Sequence, residues 1–529
     1  MSSTRLTFRF LRSESFRHIA GALFVFCVAF AYALSVLLAV KGEMPSADSN
    51  YHYLTAREIW QGSTLFPDPG KSFPLTLLNV LKVDHYYGYH LLISPAGAFA
   101  SPELGMKVTS AGLFALLLTT MYAVLRAQRV LYAPAWTFLS IAFSSQDWRY
   151  LQLRGGQLMA GLCLVFVHVA FFTEAAKKRR WLIFVVTYCA MLSYHGAVIL
   201  LPFHIAGLVA LLLTSKTPAD RARWFEPAIT ALGLFAGLLV NPYMNLRFAT
   251  FRFAALHIFH MGTDSAKLFA GRENVEFNPF PISHLWLEYG WGILFLVLLA
   301  GLGLVASRLV TKKPVAREVI VFAALTALSI VLTARAVRMR EYGVPIAFVF
   351  LAVLLRPKDI RVALLRSLGG ALLIVVSASL YAQWHRTRDL MLREKPLNFY
   401  EGAAPVIEAS HGAPILNLTQ SDAMSLTWEL PSARVAQALS PYFIYLHDRG
   451  LYEDIKRLRL GGTTASTTEA LARFQQRGVR LVAVSQHKHM TAFAAEHPDL
   501  LRLAYEHPIH HTRIYDLAPY MSPASPATK

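Results

Sequence analysis

Long uninterrupted runs of apolar residues constrain this chain more than any other feature. Many of the runs approach the length of about 20 residues that a helix needs to cross the hydrocarbon core of a bilayer. Backbone groups in lipid must be satisfied within their own segment, so each run is expected to form a helix. The predicted spans are residues 19–40, 108–125, 130–145, 157–174, 181–193, 197–213, 225–241, 285–307, 318–334, 343–355 and 363–381.

The composition agrees with a polytopic membrane protein. Hydrophobic residues make up 55% of the 529 residues and charged residues only 16%, which is more apolar surface than a soluble fold can bury. The net charge of +19 is also found in proteins that bind nucleic acid. Here, however, much of the Lys and Arg falls in short clusters between apolar runs, as at the cytoplasmic ends of membrane helices. We therefore expect membrane lipid, and no nucleic acid, as a partner.

The basic clusters also predict a topology. If the amino terminus lies in the cytoplasm, every even-numbered span must end at a basic loop. Each one does, because such loops begin at Arg126, Lys177, Lys216, Arg308 and Arg356. The odd total of about eleven spans then places the residues from Gln383 onward outside the cytoplasm.

The sequence predicts two domains. Residues 1–382 are expected to form the membrane module, with two long outer loops at 41–107 and 242–284. Residues 383–529 have a different sequence pattern, in which short strand-like and helix-like stretches alternate. This alternation predicts a small α/β domain with a largely parallel sheet. The predicted strands are residues 414–418, 434–438, 479–485, 500–505 and 512–517.

Polar residues gather in the predicted outer loops, and the first group lies just after the first span. Asp48 and His52 are four residues apart, so on a helix they share one face. A carboxylate and an imidazole placed in this way can bind a metal ion or serve as an acid/base pair. The alternative is a helix-capping Asp followed by a surface His.

A second group, Asp84 to His90, mixes aromatic rings that pack on sugars with polar groups that bind hydroxyls. It includes His85, Tyr89 and His90, and it is also compatible with an aromatic belt at the membrane interface.

Arginines form the third and fourth groups. The third contains Asp147, Arg149 and Arg154 at the predicted outer mouth of the fourth span, where arginine is costly unless it is paired or holds an anion. The alternative to an anion site in this third group is that its arginines form ion pairs with Asp147. The fourth breaks the positive-inside pattern, because several arginines fall in a short outer loop. Guanidinium groups bind phosphate through two parallel hydrogen bonds, so these positions suit a lipid phosphate. The residues of this fourth group are Arg335, Arg338, Arg340, Glu341 and Tyr342.

Together these groups resemble the membrane glycosyltransferases of the GT-C fold, which use sugars linked to polyprenyl phosphate. Asp48 to Gly62 resembles the family's catalytic segment after the first helix, and Trp148 to Arg154 is similar to an outer segment of uncharacterised bacterial members. Two features depart from the pattern. Gly155 replaces a common Pro, and the oligosaccharyltransferase signature Trp-Trp-Asp-Tyr-Gly is absent, so sequon-directed protein glycosylation is not supported. Further similar segments are Tyr87–Leu92, Asn241–Tyr243, Arg338–Tyr342 with Pro345, Leu439–Tyr445 and His447–Tyr452.

The resemblance implies a transferase in the bacterial inner membrane, with the tail in the periplasm. Asp48 would be the catalytic base, and a divalent cation, Mg²⁺ or Mn²⁺, would bind between Asp48 and Asp147. The donor would be a polyprenyl-phosphate-linked sugar, and the acceptor is a glycan, a lipid or a protein. The residues expected to bind the donor are His52, His85, Tyr89, His90, Arg154, Arg338, Arg340, Glu341 and Tyr342.

Two other classes of function compete with this interpretation. Arginine and histidine within membrane spans fit the substrate path of a transporter or lipid flippase, but no inverted repeat is visible and polar residues gather at one face. A non-catalytic assembly scaffold with the tail as its interaction domain is the third class.

Overall fold

The structure is a computed structural model. It describes residues 14–40, 47–63, 65, 67–76, 78–79, 84, 86–143, 147–214, 217–239, 291–335, 339–356, 362–393, 399–437, 444, 447–485 and 487–517. The chain divides into two compact units. The first comprises Met1–Val40, His85–Leu92 and Leu104–Arg393, and the second comprises Lys41–Asp84, Ile93–Glu103 and Glu394–Lys529.

The first unit is helical throughout its described part. Among the described residues, five helices are long and apolar enough to cross a membrane: Phe16–Ala39, Pro102–Ala127, Gly155–Phe172, Gly196–Thr214 and Arg317–Ala334. Two shorter apolar helices are Glu226–Leu239 and Leu294–Val310. The bounds of the helices in this unit are Glu14–Ala39, Tyr87–Ile93, Pro102–Ala127, Ala133–Phe143, Asp147–Tyr150, Gly155–Phe172, Ala176–Ser193, Leu200–Thr214, Pro218–Arg221, Glu226–Leu239, Trp291–Val310, Arg317–Arg335, Arg340–Leu354 and Val362–Arg393.

Each of the eleven predicted spans overlaps one of these helices. The break predicted near Tyr194 is also present, because Tyr194 is extended and a 3-10 turn, His195–Ile199, joins two helices there. That eleven helices cross the membrane stays a prediction. The second predicted outer loop, 242–284, lies outside the described residues.

Ion pairs tie together helix ends where the basic loops were predicted. The Arg179 guanidinium lies 2.6 Å from Oε1 of Glu226, and Nε of Arg223 lies 3.1 Å from Oε2 of the same carboxylate. Glu226 is fully buried, so removing it would leave arginine charge buried without this partner. Part of the basic charge at these loops is therefore structural.

The second unit contains a small mixed sheet. Its strands are β1 (Ile415–Asn417), β2 (Leu481–Val484), β3 (Leu501–Glu506) and β4 (Arg513–Leu517), in the order β1-β2-β4-β3. Helices of this unit span Ala47–Trp60, Pro69–Ser72, Ala404–Glu408, Gln420–Glu429, Arg449–Leu460, Thr464–Gln476 and Lys488–Glu496, with a 3-10 turn at Ser94–Ala98.

The prediction of a largely parallel sheet is wrong. β1 and β2 are parallel, but β2 pairs with β4, and β4 with β3, in antiparallel fashion. For β3 and β4 the physical reason is the short connection between them, because a parallel pair needs a crossover of about a dozen residues or more. The predicted strand 434–438 is reduced to one bridge between Val435 and Ile415.

The hydrophobic core of the second unit is built from distant parts of the chain. Phe73 and Leu78, from the first predicted outer loop, pack in one cluster with Tyr400, Ile415 and Leu481 of the tail. The backbone amide of Val435 also donates to the carbonyl of Ser72 at 2.8 Å. The division of the chain therefore differs from the predicted boundary at residue 382, because apolar side chains of residues 41–84 complete the core of the tail.

A tail helix that was not predicted, Gln420–Glu429, begins with a capping box. Thr419 accepts from the Asp422 amide, while the Asp422 carboxylate accepts from the Thr419 amide and hydroxyl. Such reciprocal bonds satisfy amides that a helix start leaves open. The helix packs on Ala47–Trp60, with the rings of Tyr53 and Trp428 6.0 Å apart.

Candidate active site

Asp48 and His52 belong to the second unit. Asp48 lies in the first turn of the helix Ala47–Trp60 and is partly exposed. A carboxylate in the first turn interacts favourably with the helix dipole. His52 is buried, with its ring 5.3 Å from that of Tyr51. The alternative of a surface histidine is therefore wrong.

An arginine–glutamate pair lies at the centre of the polar cluster in the first unit. Nε of Arg149 donates to Oε1 of Glu341 at 2.7 Å, and both side chains are buried. The hydroxyl of Tyr150 donates to the backbone carbonyl of Glu341 at 2.5 Å. Glu341, rather than Asp147, is thus the partner that the structure gives to Arg149.

Two further arginines belong to this region, which we call the arginine cluster: Arg149, Arg154, Arg340, Glu341 and Tyr150. Arg340 begins the helix Arg340–Leu354 and is 8% exposed, while Arg154 precedes the helix Gly155–Phe172 and is 9% exposed. Burial raises the pKa of the Tyr150 phenol well above its usual value, and Glu341 raises it further. The charges of Arg340 and Arg149 oppose this rise.

Close packing at the start of the helix Gly155–Phe172 positions the glutamate. A Cβ added at Gly156 would come within 2.6 Å of Oε2 of Glu341, so only glycine leaves room for the carboxylate. Two hydrogen bonds hold the residues just before this helix. Ser110 donates to the carbonyl of Leu151 at 2.6 Å, and Gln157 donates to the carbonyl of Tyr150. These bonds fix the segment that carries the arginines.

Aromatic rings from three separate segments meet beside this cluster. The ring of Tyr86 lies 5.4 Å from that of Tyr194, which in turn lies 6.5 Å from that of Tyr342. Tyr89 and His90 are fully buried, and their rings are 5.9 Å apart. Because Tyr89 and His90 are buried, they do not form a lipid-facing aromatic belt. Tyr86 is partly exposed and is the ring best placed to meet a ligand.

The structure therefore brings together three of the four predicted groups in the first unit. Burial raises the pKa of the Tyr89 phenol, and the Arg154 charge opposes this rise. A Cβ added at Gly155 would lie 3.2 Å from Cδ1 of Tyr86, which links the second group to the segment after Arg154. Arg149 and Glu341 link the third group to the fourth. His85, Arg338 and the side chain of Asp147 lie outside the described residues.

The described part of the chain contains no complete ligand set for the predicted metal site. No group of three or more His, Cys, Asp or Glu side chains is arranged there to hold an ion. Asp48 and His52 supply two ligands at most, whereas Mg²⁺ favours six oxygen ligands. The metal ligands stay a prediction.

Sequence reasoning missed Tyr194 and Tyr150 as parts of the site. Tyr194 stood at the predicted break between the spans 181–193 and 197–213, and that break was the available signal. Tyr150 lay between Arg149 and Arg154, but nothing in the spacing indicated that it would bond to the backbone of Glu341.

Comparison with known proteins identifies the fold. No family model and no curated protein matches the sequence. The oligosaccharyltransferase AglB from Archaeoglobus fulgidus, in complex with an inhibitory peptide and a dolichol-phosphate, is similar with a TM-score of 0.59 and 11% identity. The match covers 95% of this chain and 75% of AglB.

Two further solved structures are similar. The Archaeoglobus fulgidus oligosaccharyltransferase tethered to an acceptor peptide has a TM-score of 0.58 and 12% identity, over 95% of this chain and 75% of that one. ArnT from Cupriavidus metallidurans has a TM-score of 0.45 and 12% identity, over 93% and 97% of the two chains. The chain has the GT-C fold, as the AglB structures show.

Proposed function

We propose that this chain is a glycosyltransferase that moves a sugar from a polyprenyl-phosphate donor to an acceptor on the extracytoplasmic face of the membrane. The observation that carries the proposal is the arginine cluster. A shared fold does not assign a function, which depends on the site. The dolichol-phosphate in the AglB complex supports a lipid phosphate as the kind of ligand.

The guanidinium groups of the cluster suit an anion. Arg149, Arg154 and Arg340 are buried, as is Glu341. Charge buried away from water interacts strongly with a counter-charge. A phosphate can bind to guanidinium groups through paired hydrogen bonds, which are stronger than neutral ones. Arg154 and Arg340 are the proposed donor-phosphate ligands, and Glu341 orients Arg149.

The proposed reaction is a displacement at the anomeric carbon. A hydroxyl or amine of the acceptor attacks that carbon, and its proton passes to the Asp48 carboxylate. The bond between the anomeric carbon and the phosphate oxygen breaks, and polyprenyl phosphate leaves with the electron pair. Arg154 and Arg340 stabilise the charge that develops on the leaving phosphate.

The same proposal includes the arrangement in the membrane. Eleven helices cross the bacterial inner membrane, and the second unit with its small mixed sheet lies in the periplasm. His52, Tyr89, His90, Glu341 and Tyr342 shape the donor site, together with His85 and Arg338. A divalent cation at Asp48 and Asp147 is a further proposal, which the loss of transfer on chelation with EDTA would test.

Binding of a synthetic polyprenyl monophosphate to the purified chain in lipid nanodiscs tests the arginine assignment. Arg154→Lys and Arg340→Lys keep the charge but lose the paired hydrogen bonds. Each should weaken binding by about tenfold, the worth of one charge-assisted hydrogen bond. Arg502→Lys is the control. The Arg502 side chain is 78% exposed on β3, so this substitution should leave the affinity for polyprenyl monophosphate unchanged.

Wild-type affinity in both cluster variants would overturn the donor-site assignment. The transporter alternative makes a different prediction in proteoliposomes. A flippase would move a labelled polyprenyl phosphate across the bilayer in the absence of any acceptor, whereas a transferase would not.

A further inference from the structure

A cavity of about 90 Å³ opens in the second unit beside the helix that carries Asp48. Thr55 and Glu58 of that helix form one side. Asp68 and Lys71, from the segment that follows the helix, also line the cavity, as does Thr427 of the tail helix Gln420–Glu429. The cavity is therefore built by two parts of the sequence that are more than 350 residues apart.

The segment between Asp68 and Phe73 is held in place by one local and one long-range hydrogen bond. Oδ1 of Asp68 accepts from the Gly70 amide at 2.9 Å, and the Ser72 carbonyl accepts from the Val435 amide at 2.8 Å. Gly70 also approaches its neighbour closely, because an added Cβ would lie 2.5 Å from Cα of Asn79. The walls are preformed, which lowers the entropic cost of binding.

The lining chemistry selects one class of ligand. Two carboxylates, Glu58 and Asp68, outnumber the single ammonium of Lys71, so a phosphate would be repelled. Desolvation raises the pKa of Glu58, and Lys71 opposes this rise. The carboxylates accept hydrogen bonds and the ammonium donates them, which matches sugar hydroxyls that do both. The partly exposed ring of Tyr51 offers an apolar face on which a sugar ring can pack.

The cavity also lies on the correct side of the helix. Asp48, Tyr51, Thr55 and Glu58 are three or four residues apart in turn, so they lie along one helix face. At a rise of about 1.5 Å per residue, Tyr51 is roughly 4.5 Å along the axis from Asp48. A sugar on Tyr51 therefore lies within one helical turn of the proposed base.

We propose that this cavity is the acceptor subsite and that it binds a sugar without a phosphate, one hydroxyl of which is the nucleophile for Asp48. This assignment rests on the proposed function, and it commits to a glycan, rather than a lipid tail or a peptide, as the part of the acceptor that is recognised.

Ligand-detected NMR on the full chain in nanodiscs, without sugar-based detergent, tests the subsite. The probes are methyl glycosides of glucose, galactose, mannose, N-acetylglucosamine and arabinose, with an Asn-Ala-Thr tripeptide and glycerol phosphate for comparison. At least one glycoside should bind. Glu58→Gln and Asp68→Asn, which keep the side-chain shapes, should each weaken it by about tenfold. Glu469→Gln is the control, because that side chain is 69% exposed elsewhere in the same unit.

Polyprenyl monophosphate binding is measured on the same samples. If the lipid phosphate binds but no glycoside does, or if both cavity variants bind the glycoside as the wild type does, the subsite is refuted while the proposed function stands. If the tripeptide binds and Glu58→Gln and Asp68→Asn weaken its binding, the cavity takes a peptide and the subsite assignment also fails. If the lipid phosphate does not bind, the donor-site proposal fails separately.

Discussion

Asp48 can be tested by a substitution that keeps its shape and removes its charge. If Asp48 receives the acceptor proton, Asp48→Asn should lower the rate of sugar transfer by roughly 10²–10⁴-fold. Because Asp48 lies in the first turn of its helix, the lost interaction with the helix dipole should cost only about 0.3–1 kcal/mol of unfolding free energy. Transfer assays and thermal unfolding of the same preparation measure the two effects.

Glu103 offers a matched control for this substitution. It lies in the first turn of the helix Pro102–Ala127. Glu103→Gln therefore removes a carboxylate from the start of a helix, as Asp48→Asn does. Transfer by this variant should match the wild type. Transfer by Asp48→Asn at the wild-type rate would remove Asp48 from the mechanism.

At the scale of residues, the sequence located the arginines but not their partners. Arg340 was visible because arginines in a short outer loop break the positive-inside pattern. The pair between Arg149 and Glu341 joins residues 192 positions apart, and spacing carries no information about such a contact. The same limit hid Tyr150 and Tyr194.

Among the helices, Gly155–Phe172 allows a direct test of close packing. Gly156→Ala would place a methyl group 2.6 Å from Oε2 of Glu341, so the carboxylate must move away from its present position beside Arg149. Overpacking of this kind costs about 1–3 kcal/mol. We expect a lower melting temperature in detergent and weaker binding of polyprenyl phosphate.

At Gly161 of the same helix we expect alanine to raise the stability instead of lowering it. A Cβ there would lie 3.9 Å from the nearest heavy atom, Oγ1 of Thr120, which is an ordinary contact. Gly161→Ala should therefore raise stability by about 0.5–1 kcal/mol, the usual gain within a helix. Equal melting temperatures for the two alanine variants would contradict this account of the packing.

Helices were predictable and the sheet was not, for a physical reason. A membrane helix satisfies its own backbone, so a local run of apolar residues is enough to find it. A strand must find a partner, and the partner of β1 is β2, more than 60 residues later. Strand positions followed from the alternation of short segments, but strand direction depended on a single short connection.

For the molecule as a whole, the shared core of the second unit predicts that the tail does not fold alone. Residues 394–529 lack Phe73 and Leu78, which lie in the same buried cluster as Ile415 and Leu481. We expect the isolated fragment to show no cooperative thermal unfolding by circular dichroism. The same fragment joined through a flexible linker to residues 41–84 should unfold cooperatively.

A fusion that carries Phe73→Ala and Leu78→Ala is the control for this experiment. Each truncation of a buried side chain costs about 2–5 kcal/mol, so the double variant should resemble the tail alone. Cooperative unfolding of residues 394–529 by themselves would contradict the shared core. The predicted boundary at residue 382 missed this core because hydropathy shows where a chain leaves the membrane, not what it packs against.

The discontinuous second unit has a consequence for the order in which the chain is made. Residues 41–84 leave the ribosome about 310 residues before the tail that covers Phe73. At about 5–20 residues per second, roughly 15–60 s separate the two events. During that interval Phe73 and Leu78 lack their final neighbours, so a chain truncated before residue 394 would keep them uncovered. Those two side chains would therefore mark an incomplete chain for chaperones and proteases on their side of the membrane.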